Sequence, residues 1–164
     1  MDNMELVIHS FFKEYARLEG IDNAAIIISR RDGVPLYSYK EFDSNWNDST
    51  VGALVGGIWQ AAETLTQFIP NDENEEFRFS YETSSRGIFI VELCGDFEPL
   101  YLSFIYFDML NPAKMKARVR SLESKLTSYI EEKLENNFQS NDEIFLFNEI
   151  SDDEMDDLFS NVVS

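Results

Sequence analysis

Apolar and polar positions alternate along residues 1–136 with two different periods, which together predict eight helices and strands. Three segments repeat their apolar residues at helical spacing and are predicted helices: residues 2–19, 50–69 and 112–136. Five β-branched or aromatic runs are predicted strands: residues 24–30, 34–40, 77–82, 87–94 and 99–107. Short turns join these runs into a hairpin and a three-stranded meander. The pattern therefore predicts an α+β domain in the order α-β-β-α-β-β-β-α.

Local signals place several element ends. The Arg31-Asp32-Gly33 turn offers a glycine for positive φ, which is typical of a hairpin. Pro35 near the start of the return strand predicts a position at the sheet edge. The central helix has three candidate N-caps in succession, Asp48, Ser49 and Thr50. Asn111 followed by Pro112 predicts the start of the last helix.

The central helix has two contrasting sides. One side repeats apolar residues at i, i+3, i+4 and i+7, and it is predicted to face the core: Val51, Leu54, Val55, Ile58, Ala62, Leu65 and Ile69. The other is small or neutral: Ala53, Gly56, Gly57, Gln60, Thr64 and Gln67. Each helical glycine costs roughly 1 kcal/mol relative to alanine. A contact surface for a neighbouring helix or partner protein would compensate this cost; the alternative is a loosely tolerated helix.

Charge is distributed unevenly in this 164-residue chain. The formal charge is −18, yet all 13 Lys and Arg lie before residue 134, and residues 137–164 hold eight carboxylates. Binding of nucleic acid or anionic membrane needs clustered cations, so a protein partner is favoured. A single cysteine, Cys94, excludes an internal disulfide. With no secretory pattern at the start and no apolar run of roughly 20 residues, we expect a cytoplasmic protein without membrane insertion.

The sequence offers no candidate active site. It contains no phosphate-binding loop, no GxGxxG, no HExxH and no paired-cysteine zinc spacing. The single histidine, His9, lies at the polar boundary of the first helix, where a structural role is favoured. Cys94 ends a predicted inner strand and is interpreted as a small buried hydrophobe. We therefore expect no catalytic residue, no metal and no cofactor, and hence no enzyme.

The C-terminal region is interpreted separately, which gives two parts, a domain over residues 1–136 and an acidic linker with an amphipathic motif over residues 137–164. Ser151 to Glu154 has capping-box spacing, and the following apolar residues recur at helical spacing: Met155, Leu158, Phe159 and Val162. A helix this short is expected to be ordered only against a partner or its own domain.

Lys114, Arg118 and Lys125 share one side of the last predicted helix. The alternatives are an ordinary solvated face and a docking strip for an acidic segment, such as the protein's own tail. The sequence pattern alone does not separate them.

Two regions resemble one known family. The element order, the Asp32-Gly33 turn and the small-residue central helix resemble the roadblock/LC7 fold. Residues 149–160, EISDDEMDDLFS, are similar to the C-terminal motif of the MglB group of bacterial polarity and motility regulators. The central and last helices also resemble those of this group. The linker departs from the group's pattern, because it carries Ile-Phe-Leu-Phe at 144–147 in place of a Gly/Pro-rich stretch.

This resemblance implies a five-stranded antiparallel sheet with helices on both faces, and a homodimer in which central helices and first meander strands meet. The implied dimer interface is Gly52, Trp59, Phe77, Phe79 and Tyr81. It also implies a partner, a Ras-like small GTPase of the MglA type, seated on the paired central helices. The matching helix positions are Ala53, Gly56, Gly57, Gln60 and Thr64, and those of the tail are Ile150, Met155, Leu158 and Phe159.

Members of the MglB group activate the GTPase without an arginine finger, by repositioning its own catalytic residues, and their tail affects nucleotide exchange. The resemblance thus implies a GTPase activator and exchange modulator. The alternative is a roadblock scaffold that recruits partners without altering hydrolysis.

Overall fold

A computed structural model describes residues 3–15, 22–42, 46–70, 77–93, 98–109 and 111–147, the last thirteen by backbone only. The elements are α1 Asn3–Glu14, β1 Ala24–Arg30, β2 Pro35–Lys40, α2 Asp48–Thr66, β3 Arg78–Glu82, β4 Arg86–Leu93, β5 Leu100–Phe107 and α3 Pro112–Phe147. This order is the predicted one. The chain divides into two units, Met1–Ile130 and Glu131–Ser164. Cys94 and the C-terminal motif lie outside the described residues.

The five strands form one antiparallel sheet in the order β2-β1-β5-β4-β3. β2 lies at an edge, as Pro35 predicted. The β1–β2 turn is closed by Arg30, whose backbone N–H donates to the carbonyl of Val34 at 2.9 Å and whose carbonyl accepts from Gly33 at 2.9 Å. Gly33 has φ +84°, the left-handed conformation predicted for this turn.

Helices cover both faces of the sheet. On one face, Trp59 of α2 packs against Tyr101 of β5, with ring centroids 4.8 Å apart. On the opposite face, Phe12 of α1 stacks on Tyr37 of β2 at 3.9 Å. α3 lies on that second face too, because Arg120 is positioned 5.6 Å from the ring centre of Phe89. The predicted fold class is therefore confirmed.

The core is centred on β1 and β5, two of the three inner strands of the sheet. Every residue from Ala24 to Ile28 is fully buried, as expected of a strand with helices on both of its faces. α1 contributes Ile8 and Phe11, and α3 contributes Leu126 and Ile130. None of the helices among the described residues is long and apolar enough to cross a membrane.

Four predicted boundaries are wrong. α1 ends at Glu14 instead of residue 19. The N-cap of α2 is Asn47, whose Oδ1 accepts the backbone N–H of Thr50 at 3.1 Å, so the helix begins earlier than predicted, and it ends at Thr66 instead of residue 69. α3 continues to Phe147 instead of ending near residue 136, which replaces most of the predicted linker by helix. The start of α3 is as predicted, since Asn111 Oδ1 accepts from the backbone N–H of Lys114 at 3.0 Å.

Candidate partner-binding site

The buried side of α2 differs from the predicted one. Its buried residues are Gly52, Val55, Gly56 and Trp59, which also recur at i, i+3, i+4 and i+7. Three members of the predicted inward stripe are instead exposed: Leu54 at 62%, Leu65 at 65% and Ile69 at 62%. The helix is therefore rotated about its axis relative to the predicted orientation.

Two of the glycines explain this rotation. Gly52 lies directly against the carbonyl of Gly33 in the hairpin turn, where a Cβ would have no room. A Cβ on Gly56 would lie 3.2 Å from the carbonyl oxygen of Arg31. The predicted role of Gly56 in an outward partner surface is therefore wrong, because it is buried within the protomer. For Gly52 and Gly56, the cost of a helical glycine is compensated by close approach of the hairpin within the chain.

The remaining residues of the predicted partner surface do lie outward. Ala53, Gly57, Gln60 and Thr64 are exposed, and among the described residues the Cβ position of Gly57 faces open space outside its own helix. Gln60 Nε2 donates to the carbonyl oxygen of Arg31 at 3.3 Å. Thr64 Oγ1 donates to the carbonyl of Gln60 at 2.8 Å. We call these four residues the polar side of α2.

Arg31 was not predicted as part of this surface. Besides accepting from Gln60, it pairs through Nη2 with Glu63 Oε2 at 3.3 Å. Both side chains are about half exposed, so this ion pair contributes at most roughly 1 kcal/mol. The ion pair and the Gln60 hydrogen bond join the hairpin turn to α2, so the turn and the polar side of α2 form one continuous surface. The sequence signal that could have identified Arg31 is the adjacent Asp32-Gly33 pair, which predicts a tight turn. A glycine-containing helix such as α2 allows such a turn to lie close beside it.

A second exposed surface is apolar. Beyond the end of α2, Phe68 is 82% exposed, and it continues the exposed row of Leu54 and Leu65 at helical spacing. We call Leu54, Leu65 and Phe68 the apolar side of α2. Tyr81 of β3, on the same sheet face, is 62% exposed and lines an apolar groove of about 410 Å³ with Trp46. Large exposed apolar side chains on one face of a protein are typical of a protein–protein contact.

The five residues predicted for the dimer interface are separated by the fold. Gly52 and Trp59 are buried inside the protomer, so their prediction as interface residues is wrong. Trp59 packs edge-on against Phe77 at 4.9 Å. Phe77 and Phe79 are half-buried against the same core cluster. Tyr81 alone of the five is well exposed.

β3 nevertheless forms an open edge in the described protomer. Among the described strands it pairs only with β4, so its other side presents unpaired backbone groups. An edge of this kind is a ready site for pairing with a further strand.

Two pKa shifts mark the zone beneath the polar side of α2. Burial, followed by the charge of Glu92, raises the pKa of Tyr101 to about 12. Burial and then the nearby Glu63 charge raise the pKa of Glu92, while Arg31 opposes this rise. Tyr101 is therefore a neutral packing residue at physiological pH. No group of three or more His, Cys, Asp or Glu that could hold a metal occurs in the described part of the chain.

The other predicted positions are distributed elsewhere. His9 is exposed, and its ring meets that of Tyr37 edge-on at 5.3 Å. Lys114, Arg118 and Lys125 are exposed on α3. The predicted tail contacts lie outside the described residues: Ile150, Met155, Leu158 and Phe159.

Comparisons with known proteins rest on the fold. No protein-family model matches the sequence, and no curated protein matches it. The solved structures that match include an MglB with a tetrameric arrangement, with 17% identity over 77% of this chain and 87% of the other, and a TM-score of 0.55. The fold is that of roadblock/LC7 domains.

Two further solved structures agree. The gliding protein MglB from Thermus thermophilus shares 18% identity over 77% of this chain and 87% of its own, with a TM-score of 0.54. A roadblock/LC7 domain from Streptomyces avermitilis shares 12% sequence identity over 81% of this chain and 98% of its own, with a TM-score of 0.52. The resemblance stated from the sequence is thus confirmed for the fold.

Proposed function

We propose that this protein is a homodimeric regulator of a Ras-like small GTPase of the MglA type in bacterial polarity or motility. The fold likeness to MglB structures, one of them named as a gliding protein, supports this proposal. The sequence likeness of residues 149–160 to the MglB tail supports it independently. In this proposal the protein is an activator without an active site of its own.

The observation that carries the proposal is the outer surface of α2. A surface helix in a chain with a formal charge of −18 would normally be rich in charges, yet α2 carries only Asp48 and Glu63. Its polar side presents small or neutral groups with open space at Gly57. Such a surface allows a partner backbone to approach closely without desolvating many charges.

Dimerisation is proposed through the apolar side of α2 and the open edge of β3. Exposed Leu54, Leu65, Phe68 and Tyr81 replace Gly52 and Trp59 as the expected contacts, since the latter two are buried in the protomer. A twofold contact of β3 with its copy would satisfy the unpaired backbone groups. The tetrameric arrangement of one MglB structure agrees with self-association through this fold.

The GTPase is proposed to contact Ala53, Gly57, Gln60 and Thr64. In the activator mechanism implied by the resemblance, the protein supplies no arginine finger and holds the catalytic residues of the GTPase in their reactive positions. Positioning of this kind acts on the rate through a lower entropic cost of reaching the transition state. Arg31 is paired with Glu63 and bound through its carbonyl to Gln60, which agrees with a structural role for it.

The C-terminal region, residues 137–164, is proposed as a second contact that modulates nucleotide exchange. Burial of Met155, Leu158 and Phe159 would contribute roughly 1.5–3 kcal/mol per side chain before ordering costs. Replacing these three residues by serine should weaken the complex with the GTPase and leave the dimer intact. Titration calorimetry with light scattering measures both effects.

The deciding experiment is single-turnover GTP hydrolysis by an MglA-type GTPase with and without this protein. Acceleration supports the activator. Unchanged hydrolysis by a GTPase that still binds the protein would favour the alternative, a scaffold that recruits partners. The likeness to the Streptomyces roadblock domain, of similar TM-score, supports that alternative equally.

A further inference from the structure

The apolar groove beside Tyr81 is preformed in the protomer and lined mainly by aromatic side chains. Its rim is held by Phe42, whose ring meets those of Trp46 and Phe107 edge-on, with ring centroids 5.2 Å and 5.1 Å apart. Trp46 is held in addition by its indole Nε1, which donates to Asp48 Oδ1 at 2.9 Å. We call this site of about 410 Å³ the aromatic groove, and its principal lining residues are Phe42, Trp46, Tyr81, Ile88, Ile105 and Phe107.

The floor of the aromatic groove belongs to the sheet. Side chains alternate along β5, so Ile105 lies on the same face as Tyr101, which is the face that α2 packs against. Ile88 of β4 is paired with Ile105, and Tyr81 of β3 is paired with Ile88, so three strands contribute one apolar row. Ile88 and Ile105 are only half-buried and Tyr81 is 62% exposed. α2 of the same chain therefore leaves this part of the sheet uncovered.

Phe68 offers a side chain of matching chemistry. It is 82% exposed, the largest exposed fraction among the big apolar residues of the described part of the chain. It lies just beyond the end of α2, in a turn where its backbone N–H donates to the carbonyl of Leu65 at 3.2 Å. Because a helix rises about 1.5 Å per residue, Phe68 and Trp46 lie at opposite ends of α2, roughly 30 Å apart. Phe68 therefore cannot reach the aromatic groove of its own chain.

The apolar area of the surface indicates what a stable dimer has to bury. Specific protein interfaces bury roughly 800 Å² on each partner. Leu54 and Leu65 together expose only on the order of 200 Å² of apolar side chain. Phe68 and Tyr81 expose on the order of 350 Å² more, because aromatic side chains are large. A stable dimer through the apolar side of α2 therefore has to bury Phe68 and Tyr81 as well.

Twofold symmetry brings Phe68 and the aromatic groove together. When two copies of α2 cross near their middle in opposite directions, the C-terminal end of each helix lies beside the N-terminal end of the other. Phe68 of each copy then reaches the groove at Trp46 of the other copy. Both contacts form at once, because a twofold contact is reciprocal. Leu54 of one copy faces Leu65 of the other in the same arrangement.

We propose that Phe68 of one copy inserts into the aromatic groove of a second copy, and that the second copy makes the same contact in return. The ring lies between Trp46 and Tyr81, with Ile105 beneath it. This inference rests on the homodimer of the proposed function, and it adds the side chain and the pocket that hold the two copies together. The occupant of the groove is thus a second copy of this chain.

Two single substitutions in the full chain test the two halves of the contact. Phe68→Ala removes the inserted ring, and Tyr81→Glu places a carboxylate in the groove. Both positions are exposed in the protomer, so the fold is retained, which circular dichroism checks. Each change should raise the dissociation constant of the dimer at least about tenfold in analytical ultracentrifugation. Tyr15→Glu, 66% exposed on the opposite face of the sheet, is the matched control and should leave this constant unchanged.

The outcomes separate this contact from the dimer as such. A wild-type chain that is monomeric at micromolar concentration would refute the homodimer and this contact with it. A wild-type dimer that neither Phe68→Ala nor Tyr81→Glu weakens would refute the contact alone, and it would leave the groove to an apolar segment of another protein.

A mixture of the two variants tests reciprocity. Each variant homodimer lacks both contacts, whereas the heterodimer retains one, in which Phe68 of the Tyr81→Glu chain enters the intact groove of the Phe68→Ala chain. Heterodimers should therefore form at least about threefold more tightly than either homodimer, beyond the statistical preference for mixed pairs. Mixing in statistical proportions would contradict reciprocal insertion.

Tryptophan fluorescence gives a measurement on the wild-type chain. Its two tryptophans are Trp46, at the rim of the groove, and Trp59, which is 1% exposed in the protomer. Dissociation of the dimer on dilution should shift the emission to longer wavelength, because Trp46 becomes more exposed to water while Trp59 stays buried. An unchanged emission maximum across a dissociation that ultracentrifugation records would overturn insertion at Trp46.

Discussion

Gly52 of α2 lies in contact with the carbonyl oxygen of Gly33, so a helix and a hairpin turn meet backbone to backbone. The approach is also close from the side of the turn, since a Cβ on Gly33 would lie 2.6 Å from the Cα of Ala53 and 3.0 Å from the carbonyl oxygen of Gly52. Two glycines at one crossing point allow this approach, and it determines which side of α2 is buried.

Gly52→Ala should therefore destabilise the protein. The added methyl group meets backbone atoms of the turn that cannot rotate away, and overpacking of this kind costs about 1–3 kcal/mol. Gly57→Ala in the same helix is the matched control. Its Cβ has open space, so the gain in helix propensity should stabilise the protein by up to about 1 kcal/mol. Urea unfolding, monitored by circular dichroism, measures the free energy of unfolding of both variants. Equal effects of the two changes would contradict the packing described.

The second prediction concerns the polar side of α2. Gln60→Arg with Thr64→Arg places two large cations where a GTPase is proposed to approach, so binding should decrease at least about tenfold while the fold persists. Ser121→Arg with Ser124→Arg adds the same charge to exposed positions of α3, on the opposite face of the sheet. This control should bind normally. Unimpaired binding by a folded Gln60/Thr64 variant would exclude this side of α2 as the GTPase site.

Self-association should depend on the apolar side of α2. Leu54→Glu with Leu65→Glu introduces four carboxylates at a twofold contact, which should convert the dimer to a monomer of 19.0 kDa in light scattering. Leu6→Glu with Val34→Glu alters two other exposed apolar residues, 49% and 46% exposed, and should leave the dimer intact. A wild-type chain that is monomeric at micromolar concentration would refute the dimer itself.

Tyr101 should make stability depend on alkaline pH. Its pKa is raised from 10.0 to about 12 in the folded protein. The contribution of the neutral Tyr101 side chain to the free energy of unfolding is therefore fully present below pH 10 and is lost as the pH rises towards 12. Tyr101→Phe should reduce this loss without abolishing it, because burial also raises the pKa of Tyr37 and of Tyr106. Denaturant midpoints at pH 9 and at about pH 11 test this. Tyr15→Phe, at an exposed position, should behave like wild type.

The sequence by itself determined the element order, every strand boundary to within one residue, and the fold class. These features depend on local chemistry: Gly33 allows a left-handed turn, Pro35 restricts β2 to an edge, and Asn111-Pro112 starts a helix. It also predicts that α2 carries a contact surface, and four of the five residues predicted for it lie outward in the fold; their contact with a partner remains a prediction. The tail positions remain a prediction.

Only the tertiary structure decided which side of α2 faces the core. The sequence contains two candidate stripes at the same spacing, and the more hydrophobic one, with Leu54 and Leu65, is the exposed one. Hydrophobic periodicity measures apolar area, whereas the buried side was determined by how closely Gly52 and Gly56 approach the hairpin and by the packing of Trp59 on Tyr101. Close backbone contact depends on residues far apart in the chain, and for that reason the pattern along the chain does not predict it.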